Sequence, residues 1–344
     1  MEFNVIGFEK KEEWERITKR FEVYYQWQYV DAFYQYGDGI PKLAYARSDS
    51  DYVAIVFLLR DINKDLKIQN TNQYYDIITP YGYGGVTSNG NNSILLDFFF
   101  ERFEEYCKNN AIVSEFLRLC PFTNNYSYYR DDYEILKISK IIFMKLDSPE
   151  QIWNDMEGRC RTSIRKAMNN DLVVKSGFSK KMIEEFKTIY YDTMSRDVAN
   201  NYYYFNDEFF NSIYNNLKDF CKIYTVYFDD KAISSSIILY NGTNAHYHLS
   251  GTLSEYMKYG ANNLALNEIA LDLCKNGYKT FHLGGGYGGD NSPLLKFKKS
   301  FNKNGELDFY IGRKIYNQSI YKELCDIMNV DSKIDFFPAY RYTK

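Results

Sequence analysis

The sequence predicts an α/β (α+β) protein of two tandem domains, each with a mixed, mostly antiparallel sheet flanked by helices. A length of 344 residues and a hydrophobic content of 45% are sufficient for two domains with cores of their own. One order of elements occurs twice: a strand, a glycine-containing loop, a helix ending in Cys-Lys-Asn, and a further strand. The other strand candidates follow one another directly, which is typical of antiparallel sheets.

The first copy of this order begins with a strand at Tyr74–Thr79 and a loop at Pro80–Gly90. A helix is predicted at Asn91–Asn110, and a buried strand at Ala111–Leu119 completes the copy. The helix is indicated by apolar residues at helical spacing, namely Leu95, Phe98, Phe99 and Phe103.

The second copy has its first strand at Ala245–Ser250 and its loop at Gly251–Asn262. Its helix is predicted at Ala261–Gly277, where Gly277 is a typical C-terminal cap, and its second strand at Tyr278–Gly285. The period is far too long for a solenoid, so we expect two copies of one domain.

Four further strands are predicted at Lys42–Ser48, Asp51–Ile62, Cys221–Asp230 and Lys231–Asn241. Asp229-Asp230 is the expected hairpin turn between the last two, although it lacks the favoured glycine. Each domain therefore has one helical crossover, whereas a doubly wound sheet needs many.

The composition excludes several classes of protein. A net charge of −3 argues against a generally basic nucleic-acid binder, and the six cysteines contain no C-x-x-C pair for a zinc knuckle. No run approaches the ~18 apolar residues of a membrane span, and the N-terminus has no apolar signal core, so we expect a cytoplasmic protein with reduced thiols. The 35 tyrosines suit a groove for polar substrates, although biased codon usage is an equally good explanation.

The segment His282–Phe301 contains a G-x-G-x-x-G pattern formed by Gly284, Gly286 and Gly289. A dinucleotide fold requires a long helix after this pattern. Here Ser292-Pro293 starts a helix of only two to three turns, and the acidic residue that would bind a ribose, Asp308, lies inside a strand. We therefore expect the glycines to make room for the chain rather than to hold a dinucleotide.

Several segments, taken in order, resemble the Fem-type peptidoglycan-bridge aminoacyltransferases and related acetyltransferase-like domains of the GNAT superfamily. The resemblance covers most of the chain from about Val23 onward, and it is the ordered set that is specific. The segments are DIITPYGYGG (76–85), EFLRLCPF (115–122), RCRTSIRKA (159–167), YYDTMSR (190–196), YYYF (202–205), HLSGT (248–252), YGANNL (259–264), HLGGG (282–286), LLKFKKSF (294–301) and FFPAYR (336–341).

The resemblance implies two GNAT-like domains, at 1–145 joined by the C-terminal tail 318–344, and at 146–317. It implies acyl or aminoacyl transfer to an amine without a tightly bound cofactor, by a monomer. The acceptor would be a nucleotide- or lipid-linked peptidoglycan precursor. The donor would be aminoacyl-tRNA, with tRNA then a partner, or acyl-CoA. The long helical hairpin of the best-known cell-wall enzymes is missing, since no charged heptad stretch is found, and this keeps acyl-CoA open.

Lys298 is the leading candidate for a catalytic residue. Amine attack on an ester or thioester generates an oxyanion, which a positioned cation stabilises. Lys298 follows Phe297 in a Phe-Lys pair that the resemblance places near the acyl ester. The alternative is a solvated lysine on a basic helix with Lys296 and Lys299.

Two groups of residues are candidates for binding the donor. Gly260, Ala261 and Asn262 lead into the second copy's helix, whose N–H groups would hold a pyrophosphate. The basic residues Arg161, Arg165 and Lys166, beside Arg159, are candidates for contacts with phosphates. The alternatives are a plain strand-to-helix connection and a solvated helix face.

The candidates for binding the acceptor lie in both domains. The glycine loop offers two aromatic residues and a close backbone approach, with plain turn glycines as the alternative. The resemblance adds an arginine for an anionic group and further side chains. The complete set is Tyr81, Tyr83, Gly84, Gly85, Arg196, Tyr204, His248 and Tyr256.

The histidines and one cysteine are candidates for other chemistry. His246 and His248 are expected on one strand face with His282 on the next strand, but no acid accompanies them at ligand spacing, so no metal site is predicted. Arginines beside Cys160 favour a lowered thiol pKa, although no His–Asp pair supports a nucleophile.

Three functional hypotheses remain from the sequence. The first is a Fem-like aminoacyltransferase that extends a cell-wall precursor peptide. The second is an acyl-CoA N-acyltransferase acting on an amino sugar or amino acid. The third is a GNAT pair that binds a nucleotide-linked ligand without catalysis.

Overall fold

A computed structural model describes residues 1–69, 72–286 and 292–342. It divides into two compact units, Met1–Ile138 with Phe309–Lys344, and Ser139–Asp308. The chain leaves the first unit within a strand at Glu134–Lys145 and returns within a strand at Glu306–Ile315. The domain limits predicted from the sequence, 1–145 with 318–344 and 146–317, remain a prediction.

The strands in chain order are β1 (Glu2–Gly7), β2 (Ile40–Ser48), β3 (Asp51–Asp61), β4 (Tyr75–Ile78), β5 (Thr87–Ser88), β6 (Ile112–Arg118), β7 (Glu134–Lys145), β8 (Val173–Gly177), β9 (Cys221–Phe228), β10 (Lys231–Asn241), β11 (Asn244–Thr252), β12 (Thr280–Gly285) and β13 (Glu306–Ile315). The α-helices are α1 (Lys11–Thr18), α2 (Trp27–Tyr36), α3 (Ile62–Leu66), α4 (Ser93–Asn109), α5 (Pro149–Asp155), α6 (Gly158–Asn169), α7 (Lys180–Arg196), α8 (Asp207–Asn216), α9 (Ala261–Lys275), α10 (Pro293–Lys299) and α11 (Gln318–Ile327).

In the first unit the strand order is β1-β2-β3-β4-β6-β13, with β5 paired to β3. Neighbours are antiparallel except β4 and β6, which run parallel because the helix α4 connects them. The apolar face of α4, with Leu95, Phe99 and Phe103, packs on Ile55 and Phe57 of β3 in one core. The loop that precedes α4 is thereby held against the ends of β4 and β6.

In the second unit the strand order is β7-β12-β11-β10-β9-β8. Here β11 and β12 are the parallel pair and α9 is their crossover, while the other pairs are antiparallel. Leu266, Ile269 and Leu273 of α9 are buried in a core shared with α5 and α6. The repeated order of strand, helix and strand is therefore present in both units, and the predicted fold class is confirmed.

The hairpin between β9 and β10 turns at the two residues predicted for it. Asp229 and Asp230 both adopt positive φ, 48° and 58°, which is the backbone of a two-residue turn that matches strand twist. Aspartate tolerates this conformation better than most residues, so the missing glycine is accommodated.

The dinucleotide alternative is not supported by the described residues. The helix α10 has seven residues, too short for a crossover, and Asp308 lies within β13. Gly289, the third glycine of the pattern, lies outside the described residues. Among the helices of the described ranges, none is long and apolar enough to cross a membrane.

Candidate active site

The candidate site begins where the parallel strands of the second unit stop pairing. β11 and β12 pair at Asn244, Ala245 and His246, the last opposite His282. Beyond this point β11 continues on β10 and β12 continues on β7, so the two strands diverge. In the first unit the equivalent pair stays together through Ile78 and Phe116. Only the second unit, of the two parallel pairs described, offers an opening between its strands.

Two β-bulges mark the divergence. On β12 the register shifts between His282 and Gly284, which leaves Leu283 without a partner on β7. On β11 the neighbours of His248 pair with consecutive residues of β10, so His248 is the extra residue there. A bulge breaks the alternation of a strand. The expectation that His246 and His248 share a face rested on that alternation, and it does not hold across the bulge.

The helix α10 carries Lys298 to this opening. Ser292 caps the helix by accepting a hydrogen bond from the Leu295 N–H at 3.2 Å, and Pro293 stands in its first turn, as predicted. Leu295 anchors the helix in the core, being 5% exposed. Lys298 lies three residues further on and on the same face of the helix, so its side chain also points into the protein.

Lys298 is buried, in contrast to the alternative of a solvated lysine. The residue is 8% exposed, and its Nζ donates a hydrogen bond to the Gly285 carbonyl at 2.7 Å. Desolvation lowers the pKa of Lys298 to about 7. Among the carboxylates that the structure describes, none forms an ion pair with it, whereas its neighbour Lys299 pairs with Glu306 at the surface. Lys298 can thus exchange a proton near neutral pH.

An aromatic ring and a buried imidazole lie near the Lys298 amine. The Nζ lies 6.0 Å from the centroid of the Tyr247 ring. His282 is 1% exposed, and its Nδ1 lies 3.4 Å from Nδ1 of His246. Burial, His246 and Lys298 together hold the pKa of His282 well below its usual value, and burial lowers the pKa of His248 to about 3. Burial thus disfavours a charge on His282 and on His248 that would compete with the Lys298 cation.

Phe297, the other residue predicted to be catalytic, packs inside the second unit. Its ring lies 5.3 Å from that of Phe301 at an angle of 77°, against the core. This edge-to-face contact stabilises α10. Any contact of Phe297 with a substrate stays a prediction.

The start of α9, predicted to bind the donor, packs against α6. Gly260 has φ +74°, and a Cβ at this position would lie 2.9 Å from the Ser163 carbonyl oxygen of α6. Ala261 is buried, and Asn262 accepts a hydrogen bond from the Tyr247 hydroxyl at 2.9 Å. These contacts place polar and apolar protein atoms where a pyrophosphate would approach.

The predicted basic cluster divides into a structural arginine and two exposed residues. Arg161 donates through Nη1 to the carbonyls of Trp153 and Met156, which end the helix α5. Arg165 is exposed and its guanidinium lies 5.2 Å from the centroid of the Trp153 ring, and Lys166 is exposed beside it. Arg161 and Arg165 both lie on α6, as their spacing predicts.

Three predicted acceptor-binding residues of the second unit lie at other places in it. Arg196 donates to the Thr252 carbonyl at 2.8 Å and pairs with its neighbour Asp197. Tyr256 packs beneath Lys231, whose Nζ is 4.9 Å from its ring centroid. The contacts described for these residues and for Tyr204 do not involve Lys298.

Tyr204 lines an open depression of about 550 Å³. Its ring lies nearly parallel to that of Tyr191, with centroids 6.4 Å apart and 12° between the planes. Lys187, which pairs with Asp207, forms part of the same wall. Tyrosine faces beside charged groups suit a sugar ring or a planar polar ligand.

The predicted glycine loop of the first unit is held by its own packing. The Gly84 N–H donates to the Arg118 carbonyl at 2.7 Å, and the Gly85 carbonyl accepts from the Tyr25 hydroxyl at 3.0 Å. Tyr81 accepts at its carbonyl from Tyr29, and the ring of Tyr83 contacts those of Tyr24 and Phe309 edge-on. Packing thus accounts for Gly84 and Gly85. A role of the loop residues Tyr81, Tyr83, Gly84 and Gly85 in ligand binding stays a prediction.

The expectation of a lowered thiol pKa at Cys160 was wrong. Cys160 is 1% exposed, and burial raises its pKa. The arginines beside it in sequence point to solvent and to backbone carbonyls, so the thiol gains little from their charge. Within the described residues, no group of three or more His, Cys, Asp or Glu side chains has the arrangement of a metal site.

Sequence reasoning missed the surroundings of Lys298. The Gly285 carbonyl, the Tyr247 ring and the His246–His282 contact were not predicted. A signal for the histidine contact was present, because a helical crossover makes its two strands parallel and His246 and His282 follow each strand's start at the same distance.

Comparisons with known proteins agree with this geometry. Residues 159–299 match the family model of the acetyltransferase (GNAT) domain. This range runs from α6 to α10 and contains the diverging strands and Lys298. The matched domain and the fold together indicate an acyltransferase.

Solved structures share the fold over most of the chain. FemX is similar with a TM-score of 0.67 and 12% identity, over 94% of this chain and 99% of FemX. The C-terminal domain of a putative lysylphosphatidylglycerol synthetase from Agrobacterium fabrum is similar with a TM-score of 0.61 and 13% identity, over 91% of this chain and 93% of that domain. L-PGS from Bacillus licheniformis is similar with a TM-score of 0.53 and 13% identity, over 84% of this chain and 87% of L-PGS. The comparison with curated proteins gives no significant match. The chain thus contains an acetyltransferase (GNAT) domain at residues 159–299 and is an acyltransferase with the fold seen in FemX, as the sequence predicts.

Proposed function

We propose that this protein transfers an aminoacyl group from aminoacyl-tRNA to an amine of a peptidoglycan precursor. The observation that carries the proposal is the buried Lys298 amine at the divergence of β11 and β12. A lysine that is desolvated and carries no carboxylate partner among the described residues costs stability, and such costs are typical of functional groups.

Lys298 has a defined role in this reaction. The acceptor nitrogen attacks the ester carbonyl, a C–N bond forms, and the carbonyl oxygen becomes an oxyanion. The protonated Nζ donates a hydrogen bond to that oxygen, where the low dielectric strengthens it. When the C–O bond to the ribose breaks, the proton released by the attacking nitrogen ends on the ribose oxygen. The products are an amide and free tRNA.

The environment of α9 supports aminoacyl-tRNA over acyl-CoA as the donor. A pyrophosphate at the start of this helix would meet the carbonyl oxygen of Ser163, which repels an anion. Arg165 and Lys166 of α6, with Lys296 of α10, are exposed cations that suit phosphates of a larger donor. The donor is a cytoplasmic molecule, so we place the reaction in the cytoplasm.

The depression beside Tyr204 supports a sugar-containing acceptor. The face of Tyr204 is partly exposed and Tyr191 backs it, so a ring of a muropeptide precursor can pack on it. Tyr81, Tyr83, Gly84, Gly85, Arg196, His248 and Tyr256 remain predicted contacts for the peptide and for the nucleotide or lipid carrier.

The match to an acetyltransferase domain favours acyl-CoA transfer to an amino sugar or amino acid as a second candidate. Purified protein is incubated with labelled alanyl-, seryl- or glycyl-tRNA, or with labelled acetyl-CoA, and nucleotide- or lipid-linked precursor. Label from tRNA in the precursor supports the proposal. Label only from acetyl-CoA supports the second candidate, and binding of precursor without transfer of either label contradicts both.

Lys298→Met tests the assignment of the amine. We expect its transfer rate to fall by about 10²–10³-fold, as when an oxyanion donor is removed. Lys299→Met is the matched control, because Lys299 is adjacent but exposed and paired with Glu306. Full activity of Lys298→Met, with an unchanged circular dichroism spectrum, would contradict the role of Lys298.

A further inference from the structure

The approach of β12 to α10 combines three features within three residues. Leu283 is the bulged residue, Gly284 has φ +81°, and the Gly285 carbonyl accepts the hydrogen bond from Lys298 at 2.7 Å. After the bulge the register resumes, with Gly284 opposite Ile142. The bulge therefore re-aims the end of β12 without ending the strand.

We propose that Gly284 is a positioning residue for acyl transfer: its left-handed backbone and missing side chain set the place of the Lys298 amine. The proposal rests on the proposed function in so far as that amine serves catalysis.

The space around Gly284 admits no side chain without moving the amine. A Cβ at Gly284 would lie 3.1 Å from Nζ of Lys298, which is closer than ordinary van der Waals contact. The left-handed conformation is also unfavourable for a residue with a Cβ. Glycine at this position satisfies both conditions, since it lets the backbone turn and the amine approach.

The neighbouring glycine seats the helix that carries the amine. A Cβ at Gly286 would lie 1.9 Å from Oγ of Ser292, the cap of α10, and 2.8 Å from Cβ of Leu295. A side chain at this position would displace the start of α10. Gly286 thus sets the position of the helix α10, whereas Gly284 sets the position of the amine itself.

Among the described residues, few other contacts hold the amine. The Gly285 carbonyl is its described hydrogen-bond partner, and the Tyr247 ring lies 6.0 Å away. His282 and His246 form a buried pair beside this site, and burial holds the pKa of His282 well below its usual value. An added methyl group can therefore displace the amine at little energetic cost. The displacement also moves the N–H group that would donate a hydrogen bond to the oxyanion.

Gly284→Ala in the full-length protein tests the proposal by kinetics. With aminoacyl-tRNA and precursor, we expect kcat to fall about 10- to 100-fold, as for a misplacement of about 1 Å, with KM within about twofold. Gly277→Ala is the matched control, because Gly277 has φ +86° and nothing lies within 4 Å of its added Cβ. Equal kcat losses in both variants would overturn the proposal.

A second readout does not depend on transfer. Modification of Lys298 by trinitrobenzenesulfonate, followed by peptide mass spectrometry across pH, measures the reactivity and protonation of the amine. We expect Gly284→Ala to shift the midpoint of this profile while Gly277→Ala leaves it unchanged. An unshifted profile in Gly284→Ala overturns the positioning role. A shifted profile in a protein whose wild type transfers no label removes the proposed function but supports the placement of the amine.

Gly284→Asn covers the case in which alanine prevents folding. Asparagine tolerates the left-handed backbone but carries the same Cβ. A folded Gly284→Asn protein with wild-type kcat and labelling would overturn the proposal, and one with reduced kcat and a shifted profile supports it.

Discussion

Arg341 binds Asp76 inside the first unit, with its Nε donating to Oδ2 at 2.5 Å although 265 positions separate the two residues. Arg60 donates to the other carboxylate oxygen at 2.7 Å, and the Tyr340 hydroxyl also reaches Oδ2, at 3.0 Å. Burial of Asp76 would raise its pKa, but the guanidiniums of Arg60 and Arg341 outweigh this and hold the pKa below its usual value. An ion pair therefore holds the C-terminal segment against β4.

Replacing Arg341 should destabilise the first unit. Arg341→Met leaves a fully buried carboxylate with one cation instead of two, and we expect a loss of about 3–5 kcal/mol in the free energy of unfolding. Urea denaturation followed by tryptophan fluorescence measures it. Arg130→Met is the control, since Arg130 forms an exposed pair with Asp97 and should cost less than about 1 kcal/mol. The double variant Asp76→Asn/Arg341→Met should recover part of the loss, and simple additivity of the two changes would contradict direct coupling.

Glu115 should make the stability of the protein depend on pH. It is fully buried on β6, with hydrogen bonds from the hydroxyls of Tyr133 and Tyr316, and desolvation raises its pKa from 4.5 to about 7. The folded state thus binds the proton more tightly than the unfolded state. Stability should therefore fall as pH rises from about 4.5 to about 7, by about 3 kcal/mol at most.

Glu115→Gln should remove this component of the pH dependence and should raise stability above pH 7, because no charge is then buried. Denaturation midpoints measured from pH 5 to pH 8 for both proteins provide the check. Lys314 and Asp132 also act on Glu115, in opposite directions, and are unchanged in the variant. Parallel stability curves for the two proteins would contradict this account of Glu115.

The transfer rate should itself depend on pH through Lys298. The cationic form stabilises the oxyanion, and the pKa of Lys298 is lowered to about 7, so kcat should decline as pH rises through about 7. Steady-state kinetics with saturating precursor between pH 6 and pH 9 tests this. A rate that rises through the same range would instead show that the neutral amine acts as a base.

We expect Gly82 to be required for the stability of the folded protein and not only for ligand binding by its loop. It has φ +96°, and an added Cβ would lie 2.5 Å from Cε1 of Tyr24. Gly82→Ala should therefore cost more than the roughly 1–2 kcal/mol expected from a left-handed backbone. Gly37→Ala is matched, with φ +97° and nothing within 4 Å. Equal unfolding free energies for the two variants would show that Tyr24 yields without cost.

Local signals in the sequence were sufficient for much of the fold. The helices α4 and α9 and the strands β2, β3, β9 and β10 lie where their periodicity predicted them, within a few residues. Ser292-Pro293 marked the start of α10, and Asp229-Asp230 marked a turn. These features depend on residues close together in the chain, whose periodicity, caps and turn preferences act before any long-range contact forms.

Other elements were missed. The helices α5, α7 and α8 were not predicted, and β7 was not recognised as the partner of β12. For α7 a local signal was present, since Ile183, Phe186 and Tyr190 fall at helical spacing and are buried on one face. The pairing of β7 with β12 joins residues far apart in the chain, which a local pattern does not show.

By itself, the sequence determined the class of fold and the duplicated order of elements, and together with the family resemblance it singled out Lys298 as a candidate. The environment of that lysine came only from the folded chain. Between Lys296 and Lys299, Lys298 has the sequence context of a solvated residue, yet it is 8% exposed, and the bulge at Leu283 and the left-handed Gly284 bring a carbonyl to it. Burial depends on which distant strands and helices meet, and the pKa of an amine follows its burial.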